Sequence, residues 1–182
     1  KNLNKKIKVL QKLDKNKIND INPKIIFFIH WSKLIPKDVY EKCICIQFHL
    51  ADLPNGRGGS PIQNQILRNI KKTKISAFKV SKELDSGPIC MKQNFLLNGS
   101  AESILKKMEF QSVNMIKKLT KKHKIIFKKQ ICKPTFFKRR KPHESEINIS
   151  KIKTITNMYN FLRMLDAPDY PKAFIKLKEF KI

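Results

Sequence analysis

Two short runs leave this chain little freedom in how it folds. Ile25-Ile26-Phe27-Phe28-Ile29 and Cys43-Ile44-Cys45-Ile46-Gln47-Phe48 are nearly continuous apolar stretches of strand length. Runs without alternation suit strands covered on both faces, as in parallel α/β sheets. Each run ends on a histidine, His30 and His49. Ligands of open α/β sheets bind outside the carboxyl ends of the strands. His30, the neighbouring Trp31 and His49 are therefore candidates for a pocket rim, with a structural role as the alternative reading for His30 and Trp31.

The remaining segments fit the same class. Leu3, Ile7, Leu10 and Leu13 follow helical spacing in residues 1–20, and Asn22-Pro23 breaks that pattern. A short helix is expected near 37–42 after Leu34-Ile35-Pro36. Lys74–Val80 alternates like a strand, and Pro88–Met91 and Phe95–Leu97 read as two further short strands. Ser100 is expected to cap a long helix that carries Ile104, Leu105, Met108, Met115, Ile116 and Leu119 on one stripe. Ile125-Ile126-Phe127 reads as a last strand. From Pro134 the composition turns basic and proline-broken. A helix is then expected over Thr154–Asp166, with Ile155, Met158, Leu162 and Leu165 facing inward. With 182 residues the chain is one domain with a small appendage. We divide it into a catalytic domain over 1–133 and a C-terminal extension over 134–182.

Charge narrows the partners less than its size implies. The formal net charge is +26, yet only five of the 40 basic residues are arginine. Dedicated phosphate and base readers lean on arginine's planar fork. The lysine excess is read mainly as composition, with a preference for anionic substrates such as nucleotides or tRNA as the second reading. Cys43, Cys45, Cys90 and Cys132 include no C-x-x-C pair, so they read as buried free thiols of a reducing compartment and not as a zinc site. No metal, membrane span or secretory leader is expected, and the protein is expected to be cytoplasmic.

The chemistry concentrates between Gln47 and Gly87. Gln47-Phe48-His49 is followed by Leu53-Pro54-Asn55-Gly56-Arg57-Gly58-Gly59-Ser60-Pro61-Ile62, and later by Leu84-Asp85-Ser86-Gly87. An imidazole and a carboxylate flanking a glycine turn make a plausible acid/base pair. Ser60 is expected as an N-cap with Pro61 at the first helical position. The helix start and the glycine-turn N–H groups are candidate donors for an anion or an oxyanion.

The spacing H-x-x-x-L-P-x-x-R-G-x-x-P-I, followed by L-D-S-G, resembles the folate-dependent formyltransferases. These include the methionyl-tRNA formyltransferases and the enzymes that N-formylate nucleotide-linked amino sugars. The resemblance covers roughly residues 24–175 and implies an α/β fold: a formyltransferase-type Rossmann-like domain with a mostly parallel sheet and a short C-terminal helical arm. The chain starts at Lys1 inside a helical pattern, so the first β-α unit of such a domain is expected to lie upstream.

By resemblance, His49 is the catalytic base and Asp85 its carboxylate partner, fixing its tautomer. Gln47 stands where the family has asparagine, keeping the amide donor with one more methylene. Trp31, Leu34, Ile35, Val80, Ser81, Leu84 and Asp85 would bind 10-formyltetrahydrofolate, the co-substrate, largely through backbone groups. Arg57, Gly58 and Pro61 form the substrate loop. Phe137-Lys138-Arg139-Arg140-Lys141-Pro142-His143-Glu144-Ser145 resembles the F-x-R-R-x-P-x-x-S segment of amino-sugar formyltransferases, and Phe161–Phe174 continues the match.

The expected reaction is formyl transfer to a primary amine of a nucleotide-linked amino sugar. The short tail, too small for a barrel domain, favours this over initiator methionyl-tRNA. A catalytically inactive polyanion-binding relative is the third reading, motivated by Gln47. A homodimer is the oligomer considered, and no membrane partner is expected.

Overall fold

A computed structural model describes residues 7–177, 180 and 181. Its centre is a four-stranded sheet built from β1 (Ile25–Phe28), β2 (Ile44–His49), β4 (Lys72–Lys79) and β5 (Ile89–Leu96), in that spatial order. A two-residue strand, β3 (Arg57–Gly58), lies outside the sheet and pairs with β6 (Phe136–Phe137). The helices are α1 (Lys15–Ile21), α2 (Lys37–Tyr40), α3 (Pro61–Leu67), α4 (Ala101–Lys121) and α5 (Ile155–Arg163).

The α/β class and the helical C-terminal segment agree with the sequence reading. Strand directions are more mixed than two buried apolar runs imply. β1 and β2 are parallel, joined by the crossover through α2, whereas β2–β4 and β4–β5 are antiparallel. Connection length accounts for the β4–β5 pair: residues 80–88 are a single loop returning from β4 to β5, too short for the helical crossover that a parallel pair needs. The register of β4 on β5 shifts between Ala77 and Phe78, and the two short strands expected at 88–91 and 95–97 are one continuous strand, β5.

The core follows from strand alternation. Ile46 and Phe48 of β2 and Ile75 and Ala77 of β4 are buried together with Ile104, Met108, Met115 and Leu119 of α4. Those α4 positions recur at helical spacing, as expected. Ser100 caps α4, its Oγ accepting from the Ser103 N–H at 3.3 Å. On the opposite side of the sheet, Phe28, Ile35, Val39 and Cys45 form a second cluster with Ile18 of α1. Burial pushes the Cys45 thiol up to about 12, with Cys43 adding to it. Burial likewise pushes Cys90 up to about 11. Both are unreactive thiols at neutral pH. Cys132 departs from the expectation of burial and is exposed.

Other expectations shift. The N-terminal helix starts only at Lys15, capped by Asp14, whose Oδ1 accepts from the Lys17 N–H. Ile7 and Leu10 lie outside it and are exposed, and Leu3 lies outside the described residues. Ile125–Phe127 forms no strand; Lys128 makes a single antiparallel bridge to Ile89. Helix α5 ends at Arg163, and its expected inward residues Ile155 and Leu162 are exposed. Asn160 is buried instead, accepting from Arg163 Nε at 2.8 Å, and Met164, Leu165 and Ala167 just beyond the helix enter the main core. Residues after 133 thus share the core of the preceding ones.

Asp52 ties the turn after β2 to the sheet, meeting Lys74 of β4 at 3.0 Å and Lys92 of β5 at shorter range. Burial alone would raise this carboxyl, but the hydrogen bonds and charges of Lys92 and Lys74 outweigh it and hold it below the usual carboxylate range. A depressed carboxyl contributes stability above its ordinary value and loses it as pH falls through the depressed one. Asp52→Asn is expected to lower Tm by about 1–3 °C at neutral pH, given half-exposed pairs. The difference should shrink in thermal melts as pH falls from the ordinary carboxylate range and vanish only below the depressed value.

Candidate active site

Strand β2 presents Gln47 and His49 on the same face, because side chains two apart in a strand point the same way. His49 is buried, and its Nε2 lies 2.8 Å from the Gly56 carbonyl oxygen. A carbonyl only accepts, so Nε2 carries the proton and Nδ1 holds the free lone pair of the neutral ring. Nδ1 faces Asp85 Oδ2 at 3.7 Å, an ion-pair separation longer than a hydrogen bond. The sequence reading gave Asp85 the task of fixing the tautomer; in the structure the Gly56 carbonyl does so. Protonation at Nδ1 converts the contact with the carboxylate into an ion pair.

Asp85 is also buried and adopts a left-handed backbone at φ 51°, a region aspartate tolerates better than most residues. Three contacts hold it there. The Gly58 N–H donates to Oδ2 at 2.8 Å. Gln130 Nε2 donates to the Asp85 carbonyl at 2.8 Å and to the Gly87 carbonyl at 2.8 Å. Gln130 Oε1 accepts in turn from Arg57 Nε at 3.2 Å and from a terminal nitrogen of Arg57 at 2.8 Å. Arg57 therefore braces the aspartate turn through Gln130. Sequence reasoning missed Gln130, which sits in a lysine-rich stretch that carries no periodicity or motif. Gly87 allows the turn to lie against β4, where a Cβ would fall 1.7 Å from the Lys79 carbonyl oxygen.

The glycine turn is not the donor array expected of it. Gly56 N–H donates to Thr135 Oγ1 at 2.8 Å, Arg57 N–H to the Thr135 carbonyl at 2.9 Å, and Gly59 N–H to the Phe137 carbonyl at 3.1 Å. With Gly58 committed to Asp85, all four amides of the turn are spent inside the protein. Ser60 occupies the position before α3 but with φ 51° and no capping bond; its Oγ accepts from the Arg140 N–H at 3.0 Å. Pro61 opens α3 as expected. These departures share a cause: the segment after Pro134 lays β6 beside β3 and takes up the turn's hydrogen-bonding groups.

Gln47 donates from Nε2 to the Trp31 carbonyl at 3.2 Å, which leaves the second N–H of its amide uncommitted. Trp31 packs edge-on against Phe28 with ring centroids 5.5 Å apart, and its Nε1 is buried with no hydrogen-bond partner among the described residues. Leu34 and Leu84 are exposed, while Ile35 is buried. Val80 is half-buried and spends its N–H on the Cys45 carbonyl at 2.8 Å. Ser81 Oγ lies 3.0 Å from Ser86 Oγ and closes the loop that ends on the aspartate turn. Among the described residues no group of three or more His, Cys, Asp or Glu side chains is gathered as a metal site.

Residues 1–120 match the Formyl transferase family model, and residues 142–182 match the model for the methionyl-tRNA formyltransferase C-terminal domain. The chain belongs to the formyl transferase family. A methionyl-tRNA formyltransferase of Rickettsia felis is 37% identical over 82 residues, covering 44% of this chain and 27% of that protein. Matches of this kind span between 27% and 55% of the curated relatives' length. Among solved structures, a methionyl-tRNA formyltransferase from Clostridium thermocellum superposes with a TM-score of 0.87 at 43% identity, covering 96% of this chain and 76% of that one. A sugar N-formyltransferase from Shewanella sp. FDAARGOS_354 shares the fold with a TM-score of 0.72 at 16% identity, covering 92% of this chain and 72% of that one.

The formyltransferase fold thus carries two tests of its turn. Gly58 has φ 101°, and a Cβ there would sit 2.4 Å from the Phe137 carbonyl oxygen. Gly58→Ala is expected to cost about 2–5 kcal/mol in denaturant unfolding, from backbone strain and crowding together. Gln130→Ala leaves two carbonyls and Arg57 without their partner, at a cost of about 1–3 kcal/mol per buried group. Hydrogen exchange at residues 84–87 should rise in that variant, with protection of α4 unchanged.

Proposed function

We propose that this protein transfers a formyl group from 10-formyltetrahydrofolate to a primary amine, in the site formed by His49, Asp85 and Gln47. The observation that carries the reading is the 3.7 Å approach of His49 Nδ1 to a carboxylate that is itself held by Gly58 and Gln130. The attacking amine must lose a proton, and the formyl oxygen gathers negative charge as the new C–N bond forms. His49, held by Gly56 through Nε2, takes the amine proton at Nδ1. Asp85 then faces an imidazolium and offsets its charge. As the formyl oxygen's charge returns to the carbon, the bond from that carbon to the donor nitrogen breaks, and the proton on Nδ1 passes to the departing nitrogen, so that the nitrogen of tetrahydrofolate leaves neutral. The turn amides are committed elsewhere, so the remaining N–H of Gln47 is the donor assigned to the formyl oxygen.

The formyl donor fits the segment beside Gln47. The buried Trp31 Nε1 offers an unused hydrogen-bond donor, and the exposed side chains of Leu34 and Leu84 provide apolar surface for a ring system. Ile35 backs this wall from the core, and Val80, Ser81 and the backbone up to Asp85 supply its polar edge. Arg57, Gly58 and Pro61 belong to the amine side. No membrane partner enters this reading, and no helix of the described residues is long and apolar enough to cross a membrane.

For the amine, we favour a nucleotide-linked sugar. The segment from Phe137 to Ser145 carries the amino-sugar pattern and lies against the turn: the Gly59 N–H donates to the Phe137 carbonyl at 3.1 Å, and the Arg140 N–H donates to Ser60 Oγ at 3.0 Å. The 43% identity to a methionyl-tRNA formyltransferase favours the second reading, initiator methionyl-tRNA.

Formylation assays with the formyl-folate donor and both amines separate these readings. His49→Ala is expected to lower turnover by about 10²–10⁴-fold with the fold intact by circular dichroism; undiminished turnover would reject His49 as the base. Gln47→Asn is expected to retain activity, since the amide donor persists. Transfer RNA that competes with the sugar nucleotide at physiological salt would shift the assignment to the second reading. Absence of transfer to either amine would leave the chain as an inactive polyanion-binding relative.

A further inference from the structure

The Gly56 carbonyl fixes the tautomer of His49, yet glycine cannot fix its own peptide. Gly56 is buried with φ 76°, and a Cβ there would run into the Phe137 ring. It has no side chain with which to hold its carbonyl in place, and glycine backbone is conformationally permissive. We infer that Thr135 is the positioning residue: its hydroxyl aligns the Gly56 backbone so that His49 keeps its proton on Nε2 and its lone pair on Nδ1. This rests on the formyl-transfer reading only for the consequence to turnover.

Three hydrogen bonds of one residue close around that backbone. The Gly56 N–H donates to Thr135 Oγ1 at 2.8 Å. The Arg57 N–H donates to the Thr135 carbonyl at 2.9 Å, and the Thr135 N–H donates to the Pro54 carbonyl at 3.3 Å. The first two bonds lie on the two peptide units that flank the Gly56 Cα, and the Gly56 carbonyl belongs to the second of them. With both N–H groups anchored on Thr135, that carbonyl stays aimed at His49 Nε2, 2.8 Å away. The two bonds made by the Thr135 main chain are open to most residues at this position, whereas the bond to Gly56 needs the hydroxyl.

The tautomer is contested, which is why the alignment matters. Two acceptors flank the ring: the Gly56 carbonyl at Nε2 and the Asp85 carboxylate at Nδ1. A neutral imidazole has one proton between two nitrogens, and the hydrogen bonds on offer decide which nitrogen carries it. At equal range an anionic acceptor is the stronger partner. Asp85 Oδ2 stands off at 3.7 Å, bonded to the Gly58 N–H, so the Gly56 carbonyl at 2.8 Å prevails. A Gly56 carbonyl that swings away leaves Nε2 without an acceptor. The proton then resides on Nδ1, toward Asp85, and the nitrogen assigned to take the amine proton has no lone pair to offer.

Thr135 lends itself to a test because it is exposed and lies just before β6, so its substitution opens no cavity in the core. Thr135→Val keeps the shape of the side chain and removes the acceptor, whereas Thr135→Ser keeps the hydroxyl. Ser60→Ala serves as the control: it removes a different hydrogen bond of the same brace, the one that Ser60 Oγ accepts from the Arg140 N–H.

Long-range proton–nitrogen correlation NMR of the imidazole reads the tautomer directly in the full chain. In mildly alkaline buffer, above the ordinary histidine range, wild-type His49 is expected to show the Nε2–H pattern. Thr135→Val is expected to shift a measurable share of the ring to Nδ1–H. It should lower kcat about three- to tenfold, the worth of one hydrogen bond, and change KM for the formyl donor less than about twofold. Thr135→Ser is expected to restore both readouts, and Ser60→Ala to keep the wild-type pattern. A Thr135→Val protein that keeps the Nε2–H pattern overturns the inference even where kcat falls, because the loss is then structural. An equal shift in Ser60→Ala also overturns it, since any loosening of the brace would then suffice. A tautomer shift in a protein that formylates no amine supports the role of Thr135 and counts against the formyl-transfer reading alone.

Discussion

One turn of backbone, Gly56 to Gly58, connects the two ionisable side chains on which the site depends. It gives its first carbonyl to His49 Nε2 and its last N–H to Asp85 Oδ2. The imidazole and the carboxylate are thus positioned by the same three residues and not chiefly by each other. That arrangement fixes the tautomer of His49 without using the carboxylate for it. Asp85 stays available to answer charge on the ring. A shift of this turn moves both groups together, and small misplacement is expensive in catalysis.

The turn cannot hold this shape unaided. Its remaining N–H groups are satisfied by Thr135, just before the two-residue strand β6, and by Phe137 within it, reached only after α4 and a long irregular stretch. Gln130, in that same stretch, clamps the aspartate turn and anchors Arg57. Residues 130–140 therefore act as a brace across the site. Arg140 in this stretch donates its backbone N–H to Ser60 and lies 5.9 Å over Phe161, so part of its basic character is structural.

The two sides of the turn differ in chemistry. Toward Trp31 the surface is apolar, and the indole N–H has no partner among the described residues. Toward Arg68 and Lys72 it is cationic. The imidazole of His49 is oriented by this arrangement, with Nε2 held by the Gly56 carbonyl and Nδ1 facing Asp85.

Local sequence determined a good deal. Apolar runs without alternation gave β1 and β2 and delivered His49 to a strand end. The stripe on α4 and its Ser100 cap followed from period and capping chemistry. The spacing of histidine, glycine turn and aspartate marked the groups that the structure brings together, where the turn needs left-handed or crowded backbone and the aspartate tolerates positive φ. What the sequence could not decide was which partner each polar group would choose. Strand direction across β4 and β5, the loss of a capping bond at Ser60, the burial of Asn160 in place of Ile155, and the clamp by Gln130 all depend on contacts between residues tens of positions apart. Those choices are settled by competition among hydrogen-bonding groups for buried partners, and that competition exists only once the chain has closed on itself.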